Sequence, residues 1–153
     1  MGKRRVVATS SWIVRQSGIH GYGVFATRRI REDEHLMDYL GEVIHWDEAN
    51  ERYAASDVEP GHTFFFDLGD GRVIDGGRGG NSARFINHGC APNVRAVADG
   101  SRVELIALRD IAAGEELLLD YRLELDETAD EEERASYVCR CAAEACRLTM
   151  LAG

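Results

Sequence analysis

Apolar positions in this chain come in short, irregular runs separated by glycine and acidic turns, a pattern of many brief strands rather than long helices. Trp12-Ile13-Val14-Arg15 predicts a first strand, and Val24-Phe25 resumes one after Gly21-Tyr22-Gly23. Leu36-Met37-Asp38-Tyr39-Leu40-Gly41-Glu42-Val43-Ile44 alternates well enough for two short strands broken at Gly41. Asp47 predicts the N-cap of a short helix running to about Ala55. Pro60-Gly61 ends that region, and the dense β signal His62-Thr63-Phe64-Phe65-Phe66-Asp67-Leu68 turns at Asp70-Gly71 into Arg72-Val73-Ile74-Asp75, a hairpin. Residues 94–98 and 102–108 predict a second hairpin about Asp99-Gly100, followed by a turn over 110–114 and a leucine-rich strand from Glu115. The acidic segment 126–133 reads as a solvated linker or short helix face. There is no βαβ alternation and no internal repeat, so the expected class is mainly β with short helices.

Length and charge narrow the function classes. With 153 residues the chain forms one domain, able to bury roughly two-thirds of its unfolded surface without disulfide support. No apolar run approaches the roughly 20 residues that cross a bilayer, so no membrane partner is expected. The basic start Met-Gly-Lys-Arg-Arg lacks the apolar core of a signal peptide, and Val6 stands where myristoylation needs Ser or Thr. These features predict an intracellular, cytoplasmic protein, and the Ala/Arg/Gly-rich composition has a bacterial character. A formal net charge of -9 argues against direct nucleic-acid binding and suits a basic partner, although acidity also serves solubility.

Candidate chemistry concentrates in Arg84-Phe85-Ile86-Asn87-His88-Gly89-Cys90-Ala91-Pro92-Asn93, which puts an amide, an imidazole and a thiol within four residues. Upstream, Gly21 and Gly23 permit close backbone approach to a ligand, although a lone G-x-G is more often a turn. The glycine cluster 76–80 is not a phosphate loop, because no Gly-Lys-Ser/Thr follows. Tyr39 and Tyr121, taken alone, read as core tyrosines.

The four cysteines divide into Cys90 and the set Cys139, Cys141 and Cys146. C-x-C-x4-C leaves a tetrahedral metal site one ligand short, and Cys90 is the only remaining thiol that can complete it. Buried unpaired thiols and disulfides are the alternatives; a Cys139–Cys141 bridge is strained, and disulfides sit badly with a chain lacking a secretion signal. Closure through Cys90 pulls the C-terminal segment onto the central motif, as a lid held over a site.

In this order, the segments resemble the SET-domain family of protein lysine methyltransferases, from about Ile19 to Cys146. Gly21-Tyr22-Gly23 resembles the family's first motif, Tyr39-Leu40-Gly41-Glu42 its Tyr-x-Gly segment, and residues 84–93 its Arg-Phe-Ile-Asn-His-Ser-Cys-x-Pro-Asn motif, with Gly89 in place of serine. Residues 116–121 resemble Glu-Leu-x-x-Asp-Tyr, and the last three cysteines look like the post-SET zinc motif. The resemblance implies a β-clip fold of small twisted sheets whose C-terminal part threads a loop as a pseudoknot. It divides the chain into a basic extension (1–10), a SET domain (11–123), an acidic linker or short helix (124–136) and a post-SET segment (137–153). It also implies S-adenosylmethionine as methyl donor, held by His20, Gly21, Tyr22, Gly23, Tyr39, Arg84, Asn87, His88 and Tyr121, with Tyr121 and Tyr39 as catalytic residues. Structural Zn2+ on Cys90, Cys139, Cys141 and Cys146 is implied as well. The partner would be a lysine-containing protein or peptide, a histone or basic nucleoid protein being a candidate.

Two further departures from the family pattern stand out. Leu119 precedes Asp120 where many relatives carry Phe or Tyr, which leaves methyl multiplicity open, and Leu148-Thr149 replaces a glycine-aromatic pair. The 41–84 segment is compact, so substrate identity does not transfer. A non-catalytic, zinc-stapled peptide-binding module on the same fold is the competing reading.

Overall fold

The structure is a computed structural model describing residues 11–57, 63–125 and 127–152. The basic extension 1–10, Pro60-Gly61 and the start of the β signal at His62 lie outside the described residues. Among the described residues, no helix is long and apolar enough to cross a membrane.

Among the described residues, ten short strands form three sheets. β1 (Trp12–Gln16) and β2 (Tyr22–Ala26) make an antiparallel hairpin. β4 (Glu42–His45), β5 (Phe65–Asp67) and β6 (Arg72–Asp75) form a three-stranded sheet in the order β4-β6-β5. β3 (His35–Asp38), β7 (Asn87–His88), β8 (Val94–Asp99), β9 (Arg102–Ala107) and β10 (Leu118–Leu119) form the largest, in the order β3-β9-β8-β10-β7. The main core lies among Val24, Ile30, Ile74, Val94, Leu105, Ile111 and Leu117, all essentially without exposure.

β10 gives the fold its knot. It pairs in parallel with β7 on one side and β8 on the other, so a late strand lies between two strands that follow each other in the chain. The short link between β7 and β8 passes across β10, held by Gly89 N–H to the Leu119 carbonyl and Asn93 N–H to the Leu118 carbonyl, each at 3.1 Å. This is the threaded arrangement that the sequence resemblance implied. Asn93, 2% exposed, supplies what too short a ladder lacks. Its side-chain amide donates to the Glu116 carbonyl at 2.8 Å and accepts from Leu118 N–H at 2.7 Å. The side chain thus replaces backbone pairing, and these part-buried backbone groups are satisfied.

Helix α1 (Trp46–Ala54) differs from expectation at its start. Asp47 is not the N-cap; it lies in the first turn, where its charge favours the helix dipole, and His45 holds the cap position without a side-chain bond. The reason is continuity: β4 pairs with β6 as far as His45, and Trp46 N–H then donates to Gly71 O at 3.1 Å, leaving less for a capping side chain to satisfy. Arg52 fastens the helix to its sheet through Asp75 (2.7 Å) and Glu42 (3.1 Å), and pairs within the helix with Glu48 (2.6 Å). Within the described part of the β signal, the strand is Phe65–Asp67; Phe64 O still accepts from Gly76 N–H in the same register at 2.8 Å and also takes the Tyr39 hydroxyl at 2.6 Å.

After β10 the chain leaves the sheets. The acidic segment forms α2 (Glu131–Ala135), capped by Asp130 through Glu133 N–H at 2.8 Å. The cysteine-bearing segment then bends through two left-handed residues, Ala142 (φ 56°) and Leu148 (φ 65°), and returns so that Leu151 pairs in parallel with Leu123.

The fold generates two predictions. A Cβ on Gly89 would come within 2.8–2.9 Å of Leu118 side-chain atoms, which explains glycine where serine is usual. Gly89→Ser should destabilise the domain by about 1–3 kcal/mol, and much of that loss should return in Gly89→Ser/Leu118→Ala; additive losses in urea unfolding would refute the coupling. Leu148 is 74% exposed, so Leu148→Gly sacrifices little burial while relieving a left-handed leucine. The metal-loaded chain should gain roughly 0.5–1 kcal/mol after the entropy cost of glycine, whereas Leu148→Val should lose stability; equal midpoints for the two variants would contradict this.

Candidate active site

The site assembles where the β1–β2 hairpin meets the threaded strands. Ser17 and Glu116 brace the loop that joins β1 to β2. Ser17 Oγ donates to Glu116 Oε1 at 2.5 Å and accepts from Ile19 N–H at 3.0 Å, while Ser17 N–H reaches Gly21 O at 2.8 Å. Gly23 has the Glu116 carboxylate as its neighbour: a Cβ there would come within 2.9 Å of Glu116 Oε1. The missing side chain therefore admits an internal carboxylate. Gly21 adopts φ 45° with open space beside it, which suits a ligand-facing turn. Asn87 completes the brace, its side-chain amide donating to the carbonyls of His20 (3.1 Å) and Tyr22 (3.0 Å).

Two cavities meet at this brace. One, of about 230 Å³, lies between the loop and the C-terminal segment, with Ile19, His88, Val138 and Met150 in its walls. The other, of about 210 Å³, is bounded by Gly21, Tyr22, Phe64 and Arg84. His20, Asn87 and Tyr121 line both. Of the residues that the sequence singled out for the cofactor, Gly23 and Tyr39 line neither cavity. Tyr39, 9% exposed, packs 5.3 Å from the Phe66 ring and donates its hydroxyl to Phe64 O at 2.6 Å. It shapes the segment carrying Phe64. The Arg84 guanidinium lies 4.6 Å from the centre of the Phe85 ring, a cation–π contact that aligns it.

Tyr121 Oη donates to Ile86 O at 2.5 Å, and its backbone N–H donates to His88 Nδ1 at 3.0 Å. Burial pushes the Tyr121 phenol well above its ordinary pKa, with the Glu116 charge adding to it. Burial likewise raises Tyr39, so both hydroxyls stay protonated and neither is a general base. For His88, burial outweighs the pull of Asp120 and lowers the pKa, which fits a neutral ring accepting at Nδ1. The proton then sits on Nε2, 3.5 Å from Cys90 Sγ. One imidazole thereby links the Tyr121 backbone to a sulfur.

All four cysteines are free thiols, and their sulfurs lie within 4.8 Å of one another. Cys90 Sγ is 3.7 Å from Cys139 Sγ and 3.9 Å from Cys146 Sγ. Tetrahedral zinc with Zn–S bonds of about 2.3 Å needs sulfurs about 3.8 Å apart, so the donor set fits such an ion. Each sulfur also accepts one backbone N–H: Arg147 to Cys90, Cys141 to Cys139, Cys90 to Cys141 and Leu148 to Cys146, at 3.3–3.4 Å. Burial raises the Cys139 thiol; at Cys141 the N–H donors and neighbouring thiols overcome burial and lower the pKa to about 7. Four crowded thiols cannot all ionise unaided, and a divalent cation removes that conflict. A second group, His35, Asp38 and Glu104, is already served by Arg102, which contacts both carboxylates at 3.0 Å.

Sequence reasoning missed Ser17 and the apolar wall of Val138 and Met150. Serine at the start of a glycine-rich turn is common, and a metal motif advertises its cysteines rather than the apolar residues that flank them.

The SET-domain family profile matches residues 21–122 of the 153. A histone-lysine N-methyltransferase of Saccharomyces cerevisiae, H3 lysine-4 specific, is 38% identical over 139 residues, which make up 86% of this chain and 12% of that protein. Histone-lysine N-methyltransferase SUV39H2 of Gallus gallus is 35% identical over an alignment of 155 positions, which covers 88% of this chain and 38% of that protein. Among solved structures, ctPRC2 in an autoinhibited conformation bound to S-adenosylmethionine aligns with a TM-score of 0.64 and 32% identity, over 72% of this chain and 15% of that one. The chain thus spans a minor part of each of these relatives. A family match over two-thirds of the sequence, together with a fold that aligns at a TM-score of 0.64, leads to one conclusion: this chain belongs to the SET-domain family.

Proposed function

We propose that this chain is an S-adenosylmethionine-dependent protein-lysine N-methyltransferase, with structural Zn2+ on Cys90, Cys139, Cys141 and Cys146. The observation that carries the reading is the pair of cavities sharing His20, Asn87 and Tyr121. Neither alone reaches the roughly 300 Å³ usual for a ligand pocket, whereas together they exceed it. A cofactor with an apolar-faced base at one end and a zwitterionic amino acid at the other suits them: Ile19, Val138 and Met150 offer an apolar wall, and Arg84 a guanidinium for a carboxylate. Asn87 builds the wall by holding the His20 and Tyr22 carbonyls.

S-adenosylmethionine supplies a methyl group on a positive sulfonium. The chain's own residues then chiefly align and desolvate. A lysine amine, with a free pKa of about 10.4, is more readily deprotonated when buried in an apolar channel near positive charge, and water takes the proton. The Tyr121 hydroxyl, committed as donor to Ile86 O, keeps lone pairs to accept an amine N–H and orient it. Tyr39 acts as a positioning residue through Phe64 O. A substrate of basic character, such as a histone or nucleoid protein, matches the net charge of -9. The comparisons support this chemistry, since the two relatives described are histone-lysine N-methyltransferases. We further propose an intracellular site of action, in line with an acidic chain that favours basic partners.

Purified, zinc-loaded protein should bind S-adenosylmethionine in calorimetry and transfer labelled methyl groups to lysine in a basic-protein mixture. Tyr121→Phe should lower kcat by about 100-fold while changing cofactor Kd by no more than about twofold. Absence of any cofactor binding would sink the proposal. Cys90→Ser and Cys146→Ser should each lower zinc below about one per chain; unchanged metal content would rule out the four-cysteine site.

A further inference from the structure

We propose that Arg147 and Asp120 are a positioning pair that transmits the state of the cysteine cluster to Tyr121. The inference rests on the function proposed above but adds two residues to it. Arg147 directly follows Cys146 and donates its backbone N–H to Cys90 Sγ at 3.3 Å, so its main chain is fixed by the cluster. Its guanidinium forms a two-pronged contact with Asp120, both N···O distances being 3.0 Å. Asp120 immediately precedes Tyr121. Burial alone would raise the Asp120 carboxyl, yet Arg147 and the Arg122 N–H leave it below the usual carboxylate range.

The segment following Asp120 needs an external anchor. Arg122 has φ 48°, a left-handed conformation that an arginine adopts at a cost, and β10 has already ended at Leu119. Residues 120–123 are held instead by the returning C-terminal segment at two points. One is the Arg147–Asp120 fork. The other is a backbone pairing in which Leu123 N–H donates to Met150 O at 3.3 Å and Ala152 N–H to Leu123 O at 2.8 Å. Tyr121 lies between these anchors, with its hydroxyl and backbone N–H committed to Ile86 and His88. Met150 also walls the first cavity, so the same return segment shapes that cavity and fixes the residue beside it. A planar fork suits this task, because it fixes direction as well as distance; a lysine at 147 would keep charge and lose orientation.

The test uses the zinc-loaded chain with Arg147→Ala, Arg147→Lys, Asp120→Asn and the Arg147→Ala/Asp120→Asn double variant. All should retain zinc, because every sulfur and its N–H donor remain. Arg147→Ala should raise amide exchange at Tyr121 and Leu123 by about tenfold or more and lower kcat by about 10- to 100-fold, with peptide KM within about twofold. Arg147→Lys should fall between wild type and Arg147→Ala, and the double variant should be no worse than the poorer single by more than about twofold. Zinc loss in Arg147→Ala, unchanged exchange at 121–123, or multiplicative losses in the double variant would overturn the coupling. Zinc content and amide exchange need no turnover, so they judge the pair even if the chain transfers no methyl group.

Discussion

The structure depends on how a two-residue strand is kept between two others. β10 offers few ladder bonds of its own, and pairing of this length is marginal. Asn93 compensates by acting as an extra piece of backbone, donor and acceptor both used, in a position almost closed to water. The energetic case is asymmetric: each such bond contributes little net, whereas losing the side chain would leave the Leu118 N–H and the Glu116 carbonyl, both in partly buried residues, without this partner. Everything functional hangs from this insertion. Glu116 just before it braces the loop beneath His20, and Tyr121 just after it lies at the junction of the cavities.

Much of this was legible in the sequence because the motifs are local. Residues 84–93 fall in one continuous crossing, and the cysteine arithmetic gathers the four thiols that the structure brings together. The many short strands also followed from glycine and acidic turns. What was hidden is mostly the product of long-range partnership. The Phe64 carbonyl takes a hydroxyl from Tyr39, 25 residues earlier in the chain. Asp47 reads as a cap only if the helix begins free, whereas here a strand runs directly into it. Gly23 looked ligand-facing because the carboxylate that fills its space comes from Glu116, far along the chain.

The departures from the family pattern acquire physical reasons to different degrees. Gly89 is fitted to Leu118, so those two positions constrain each other. Leu148 occupies a left-handed turn where glycine is the relaxed choice, and its side chain points largely to solvent. Met150, two residues on, supplies the buried apolar surface in that stretch. Leu119 packs in the main core and pairs with both flanking strands, and its size is set there by packing as much as by any substrate.

The threaded strand also imposes an order of assembly. The sheet that carries Asn87 and His88 cannot close until residues 116–119 exist and have passed inside the link between β7 and β8. A chain emerging from the ribosome must therefore hold Val24, Val94 and Leu105 partly uncovered until residues 117–119 have been made, since Leu117 and Leu119 complete the core they share. Synthesis has to pass residue 119 before a ligand could find a finished pocket. A nascent chain of this kind has an interval of exposed β-rich surface in which a chaperone is useful, and the cysteine-bearing segment, made after the threaded strand, arrives when the framework it fastens can already be in place.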